Sequence, residues 1–228
     1  MMMNILFIAA HPDDEVLGCG GTIARMAQEG NHVYIAVIGE GITARYQQRN
    51  QADKTLVIKL RNKTQRVGEL LGAKQIFTFD LPDNRFDTVP MLDIVKLIEN
   101  LIDRIQPQII YTHHGGDLNI DHRQVFCATL TATRPLPGCS VKTIYTYEVP
   151  SSTEWAMGKF LPPFQPNVFM DIQGTLENKL QALALYESEG RIFPHPRSPE
   201  ALKAIASRWG SVSGCYAAEA FELIRELR

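Results

Sequence analysis

Residues Ala10-His11-Pro12-Asp13-Asp14-Glu15 follow an apolar run at Ile5–Ala9 and crowd four ionisable side chains into five positions. His11 and Asp14 stand three apart on a turn that proline stiffens. A second cluster, His113-His114-Gly115-Gly116-Asp117-Leu118-Asn119-Ile120-Asp121-His122-Arg123, closes another apolar run at Gln108–Thr112. His122 taken with His11 and Asp14 gives two imidazoles and one carboxylate, and three protein ligands with an open position describe a catalytic zinc site. The same set suits ferrous iron. Such a metal lowers the pKa of a water toward about 7 and polarises an acyl carbonyl. Asp13, beside Asp14 but not needed as a ligand, is then free to take the water's proton as general base.

Plainer explanations compete with this one. Asp14 or Glu15 could simply sit at a helix start, where the positive end of the dipole favours carboxylates, and Asp121 could cap the next helix. Chance explains less well why both clusters fall at carboxyl ends of parallel strands, the edge where open α/β sheets keep their ligand sites. Gly18-Cys19-Gly20-Gly21 with Glu40 after strand two imitates a dinucleotide fingerprint, but the third glycine is missing and the glycines come behind the charged motif.

The elements that must position these residues follow a βαβ rhythm. Strand-length apolar runs occur at Ile5–Ala9, Val33–Ile38, Gln75–Phe79, Gln108–Thr112, Thr143–Tyr147 and Val168–Met170. Helical spacing predicts helices over about Gly20–Glu29, with a glycine-rich start that lets backbone approach a ligand, and over about Asn50–Leu71. A further helix carries Ile94 to Ile102, and another runs from an Asp121 N-cap to about Thr133, with His122 in its first turn. Thr175–Tyr186, Pro199–Trp209 and Ala217–Leu227 read as three closing helices. The expected fold class is α/β, a Rossmann-like three-layer sandwich with a mainly parallel sheet, and residues 1–228 are expected to form a single domain.

Composition narrows the function classes. The 228 residues are 45% hydrophobic and 21% charged with net charge -2, which gives no basic excess for nucleic acid. No apolar run approaches the roughly 20 residues of a membrane span. Met1-Met2-Met3-Asn4 carries no cationic leader, and the four cysteines (Cys19, Cys127, Cys139, Cys215) form no Cys-x-x-Cys pair, so a reduced, cytoplasmic protein is expected.

The Ala10–Glu15 loop after strand one and the later Asp121-His122 pair resemble the signature of the LmbE-like or PIG-L deacetylases. The resemblance extends along nearly the whole chain, through Gly18–Gly21, the Arg45 loop and Ala218-Glu219-Ala220-Phe221. It implies a zinc-dependent N-deacetylase acting on N-acetylglucosamine-type sugars or glycoconjugates, with His11, Asp14 and His122 as ligands and Asp13 as base. It also implies trimers or hexamers. Several members carry His-Pro-Asp-His in the later motif, where the first histidine helps stabilise the oxyanion. Asn119 holds that position here, and asparagine donates a hydrogen bond but cannot shuttle a proton. His113 or His114 would then take the acid role, or Asp13 would carry the proton to the amine. Asp121 would orient a ligand histidine, and Glu15 would support the helix start. Arg45, Arg85, Arg191, His195 and Arg197 are the candidate substrate contacts, with Trp155 and Tyr145 as rings that could stack on a sugar. The competing class is a nucleotide- or sugar-binding Rossmann-like protein without chemistry.

Overall fold

Alternation along β1 (Asn4–Ala9) sets up the architecture: Ile5, Phe7 and Ala9 face one hydrophobic core, and Leu6 and Ile8 face a second on the other side of the sheet. A strand buried on both faces is the hallmark of a parallel sheet covered by helices. The computed structural model describes residues 2–159 and 161–228. In chain order it contains β1, α1 (Asp14–Gln28), β2 (His32–Gly39), α2 (Lys54–Leu71), β3 (Gln75–Leu81), α3 (Met91–Ile105) and β4 (Ile109–His113). These are followed by α4 (Ile120–Ala132), β5 (Thr143–Tyr147), β6 (Val168–Asp171), α5 (Leu176–Leu185), α6 (Pro199–Ser213) and β7 (Ala218–Glu226).

The seven strands form one sheet in the order β3-β2-β1-β4-β5-β7-β6. β1 pairs in parallel with both β2 and β4, and only β7 runs against its neighbours β5 and β6. Leu60, Val67, Leu180 and Leu183 from α2 and α5 join α1 on one core; Ile94, Ile98, Val125 and Ala128 from α3 and α4 join the other. The result is the expected three-layer α/β sandwich. Strand order reverses between β1 and β4, and the two motifs leave the carboxyl ends of those two strands. That junction is the switch point where such sheets bind ligands.

Four sequence expectations need correction. α1 begins at Asp14 rather than Gly20, so its glycines lie inside the helix and serve packing: a Cβ on Gly18 would come within 2.3 Å of the Tyr147 ring, and one on Gly21 within 2.8 Å of Ile172. They bring helix and sheet together rather than backbone and ligand. The helix expected from Asn50 begins at Lys54, preceded by short 3-10 turns at Thr43–Arg45 and Arg49–Gln51. The cap of α4 is Asn119, whose side chain accepts the Asp121 N–H at 2.8 Å, leaving the Asp121 carboxylate for other partners. Ala217–Leu227, expected helical, forms β7. Ala and Glu favour helices in isolation, yet Phe221 meets one core while Ala218 and Ala220 pack on Trp209, and this period of two, with a partner strand on each side, decides the outcome.

Candidate functional site

Asp13 precedes α1 with φ 113 and ψ -26, a left-handed conformation that a non-glycine residue adopts only where its surroundings hold it there. Glu15 holds it: one carboxylate oxygen accepts the Asp13 N–H at 3.0 Å, and the other accepts the Tyr186 hydroxyl at 2.7 Å. Burial pushes Glu15 up to about 7. The strained turn directs Asp13 into the cleft and puts Asp14 at the first position of α1.

His11, Asp14 and His122 converge with ligand atoms within 4.8 Å of one another, a set that could hold a metal ion. His11 Nδ1 lies 3.4 Å and His122 Nε2 3.2 Å from Asp14 Oδ2. Asp14 Oδ1 and both His122 ring nitrogens are buried and make no hydrogen bond among the described residues. Buried polar atoms are seldom left unpaired, and a carboxylate oxygen and an imidazole nitrogen are donors that divalent cations take. The residues therefore fit a metal. The other face of His11 is held by Asp121, whose Oδ2 lies 2.9 Å from His11 Nε2 while its Oδ1 accepts the Phe86 N–H at 2.9 Å. That contact assigns the proton to Nε2 and leaves Nδ1 as the free lone pair. A second acidic group, His11 with Asp83 and Asp121, meets the same distance criterion, but there Asp121 is already fully engaged.

The charges are strongly coupled. Burial would raise Asp14, but His122 and His11 outweigh it and hold this carboxyl well below its usual range. Burial would lower His122, but Asp14 and Asp117 bring it up to about 9; His11 is likewise well above its ordinary value, through Asp121 and Asp14. Asp13 is raised well above its usual range by burial, against the opposing pull of Arg197. Arg197 donates from Nη1 to Asp13 Oδ2 at 2.9 Å and from Nε to Ser151 Oγ at 2.8 Å.

A pocket of about 210 Å³ opens above this set, lined among others by His11, Asp13, Arg45, Asp83, Asn119 and Arg197. Of the expected site residues, Arg45 and Arg197 therefore reach it, the former held by Glu189 at 2.6 Å. Asn119 reaches it with Nδ2 donating to Asn84 Oδ1 at 3.0 Å. His113 does not reach it. It lies beneath the ligand set, fully buried, stacked on His122 at 4.0 Å with Nε2 accepting the Ala10 N–H, and burial together with His122 lowers its pKa well below 6.5. His114 points away to Glu222 and the Pro162 carbonyl. Arg191 is exposed and bonds the backbone of Ser188 and Gly190; His195 packs edge-on against Trp155 outside the pocket. Arg85 lines a neighbouring cavity. Tyr145 stacks on Tyr111, so it belongs to the sheet interior and not to a sugar platform. Asp83, Asn84, Asp117 and Glu189 were not anticipated. The first two lie in a loop singled out only for its arginine, and Asp117 stands 3.2 Å from His122 Nδ1 inside the histidine-rich segment.

The family model for PIG-L, GlcNAc-PI de-N-acetylase, matches residues 6–133, more than half the chain. The chain belongs to this family. Among PIG-L relatives, a protein of Escherichia coli K12 named uncharacterized deacetylase YaiS is 30% identical over 199 residues, covering 81% of this chain and 91% of that protein. The diacetylchitobiose deacetylase of Thermococcus kodakarensis is 27% identical over 229 residues, covering 97% of this chain and 83% of that one. The solved structure of GalB, 4-carboxy-2-hydroxymuconate hydratase of Pseudomonas putida, superposes with TM-score 0.75 over 100% of this chain and 98% of that one at 21% identity. At that identity the likeness concerns fold alone. Since a hydratase shares the fold, the reaction of this PIG-L protein has to be argued from its site.

Proposed function

We propose that this chain, acting as one domain, is a metal-dependent amidohydrolase that removes the N-acetyl group from an N-acetylglucosamine-type sugar or glycoconjugate. The observation that carries the reading is a buried two-histidine, one-carboxylate set with unsatisfied donor atoms beside a spare carboxylate, Asp13. Zinc, or another divalent ion such as ferrous iron, held by His11, Asp14 and His122 would acidify a water and polarise the acetyl carbonyl.

Asp13 supplies the proton transfers. Its carboxylate takes a proton as water adds to the carbonyl carbon, then returns it to the nitrogen as the C–N bond breaks, so acetate and a free amino sugar leave. A base raised by burial suits this work, because a stronger base accepts the proton more readily, while Arg197 pulls the other way and favours its charged form. Arg197 also fixes the carboxylate's direction. The Asn119 N–H not used by Asn84 would donate to the carbonyl oxygen, a neutral donor where a charged one would compete with a cation, and its position on the pocket wall supports that reading. Asp121 keeps His11 in the tautomer that presents Nδ1.

The test is acetate release from a panel of N-acetyl sugars, free and nucleotide-linked, by protein of measured metal content. Release from at least one is expected. Stoichiometric metal with no acetate from any member would contradict the reading and favour ligand binding without chemistry.

A further inference from the structure

The 210 Å³ pocket over the ligand set falls below the roughly 300–1,000 Å³ common for small-molecule sites. A cavity of about 880 Å³ adjoins it, and the same two segments wall both. Gly41, Ile42, Ala44 and Arg45 face the smaller pocket while Glu40 and Thr43 face the larger; Asp83 and Asn84 face the smaller while Arg85 faces the larger. A sugar whose acetamido group lay at His11 and Asp13 would have to cross this wall to place a substituent in the larger cavity.

The larger cavity is cationic. Arg49, Lys54, Arg61 and Arg85 line it against only two carboxylates, Glu40 and Asp80. Both carboxylates are consumed internally: Arg49 forks onto Glu40 at 2.7 and 2.9 Å, and Arg61 pairs with Asp80. Lys54 and Arg85 have no acidic partner among the described residues. Lys54 is the first residue of α2, but the Asp53 carboxylate already takes the Thr55 N–H there at 2.8 Å, so the cavity's positive field comes from the side chains and not from the helix end. Two free cations in a concavity, with the remaining pair of arginines already braced, suit a dianionic oxyanion better than a neutral sugar.

We propose that this cavity binds a phosphoryl group attached to the sugar, so that the substrate is a phosphorylated N-acetyl sugar. The proposal rests on the deacetylase reading for its register but not for the site itself. A sugar 1-phosphate and a nucleoside diphosphate sugar share this chemistry and are separated by experiment. Acetate release by the holoenzyme is compared for N-acetylglucosamine, N,N′-diacetylchitobiose, N-acetylglucosamine 1-phosphate and UDP-N-acetylglucosamine. The kcat/KM for one of the two phosphorylated sugars is expected to exceed that of both neutral ones by at least about tenfold, and the excess should shrink as ionic strength rises. Combining Lys54→Ala with Arg85→Ala should reduce that ratio by about tenfold. Whichever phosphorylated sugar is preferred identifies the source. Calorimetric titration of the holoenzyme with pyrophosphate reads the site independently of turnover: the double variant should weaken binding by a similar factor. Equal kcat/KM for neutral and phosphorylated sugars, or pyrophosphate binding that survives the double variant unchanged, would overturn the proposal. If no sugar releases acetate while pyrophosphate still depends on Lys54 and Arg85, the site stands and the deacetylase reading falls.

Discussion

At the residue scale, the charged motif after β1 divides its labour by geometry. Asp13 and Asp14 are neighbours in sequence, but the left-handed turn at Asp13 sends their carboxylates to different partners, Arg197 for one and the two histidines for the other. Removing Arg197 by Arg197→Ala should cost activity by about 10–100-fold while leaving metal bound, because it frees the proposed base, Asp13, without touching a proposed ligand; kinetics beside metal analysis check this. Asp121→Ala should weaken metal affinity by about 10–100-fold, since His11 would lose the partner that fixes its tautomer. A competition titration against a chelator would read that change. Unaltered affinity would mean that Asp121 serves only its contact with Phe86.

Elements hold these residues through contacts that lie far off in sequence. The N–H groups of Gly21 and Thr22, in the middle of α1, donate to the Glu219 carboxylate of β7 at 3.0 and 2.7 Å rather than serving only their own helix. Lys179 of α5 pairs with the same carboxylate at 2.7 Å and donates to the Leu17 carbonyl at 2.8 Å. This buried ion pair pins the helix that begins at Asp14. Glu219→Ala strands the lysine's charge and should destabilise the protein by about 3–5 kcal/mol, measured by urea unfolding. A loss under about 1 kcal/mol would contradict the pinning. A second contact, His114 with Glu222, ties the end of β4 to β7 at 3.0 Å. Burial would lower His114, but Glu222 lifts it above 6.5, so its contribution is full below pH 6.5 and fades as pH rises through the lifted value. Burial would raise Glu222, but His114 draws it below 4.5, so its contribution is present above pH 4.5 and fades as pH falls through the lowered value. The stability gap between the protein and its His114→Gln variant should therefore peak between about pH 4.5 and 6.5.

For the whole molecule, the strand order emerges only in the folded chain. The mainly parallel sheet and the meeting of the two motifs at one sheet edge were legible because they depend on strand patterning and on where each motif meets its strand. His11, Asp14 and His122 could be named together from that alone. What stayed hidden depends on contacts made only after folding. Glu219 acts on α1 from about 200 residues away in sequence, and β7 read as a helix because Ala and Glu carry helical propensity while its two partner strands are distant. His113 looked reactive because sequence does not show that the Ala10 N–H takes its lone pair. The same two-core architecture predicts that stripping metal abolishes turnover without unfolding the chain. At a metal concentration 100 times Kd the ion would add only about 2.7 kcal/mol, and thermal melts of stripped and loaded protein should differ by a shift rather than by loss of the transition.

The central claim is that Asp13 performs chemistry while Asp14 holds metal. Asp13→Asn and Asp14→Asn, purified alike and measured for metal content and acetate release, separate the two roles. The expected result is that Asp13→Asn keeps its metal but loses turnover by about 10²–10⁴-fold, and Asp14→Asn loses both. Full activity in Asp13→Asn, or equal metal loss in the two variants, would contradict it.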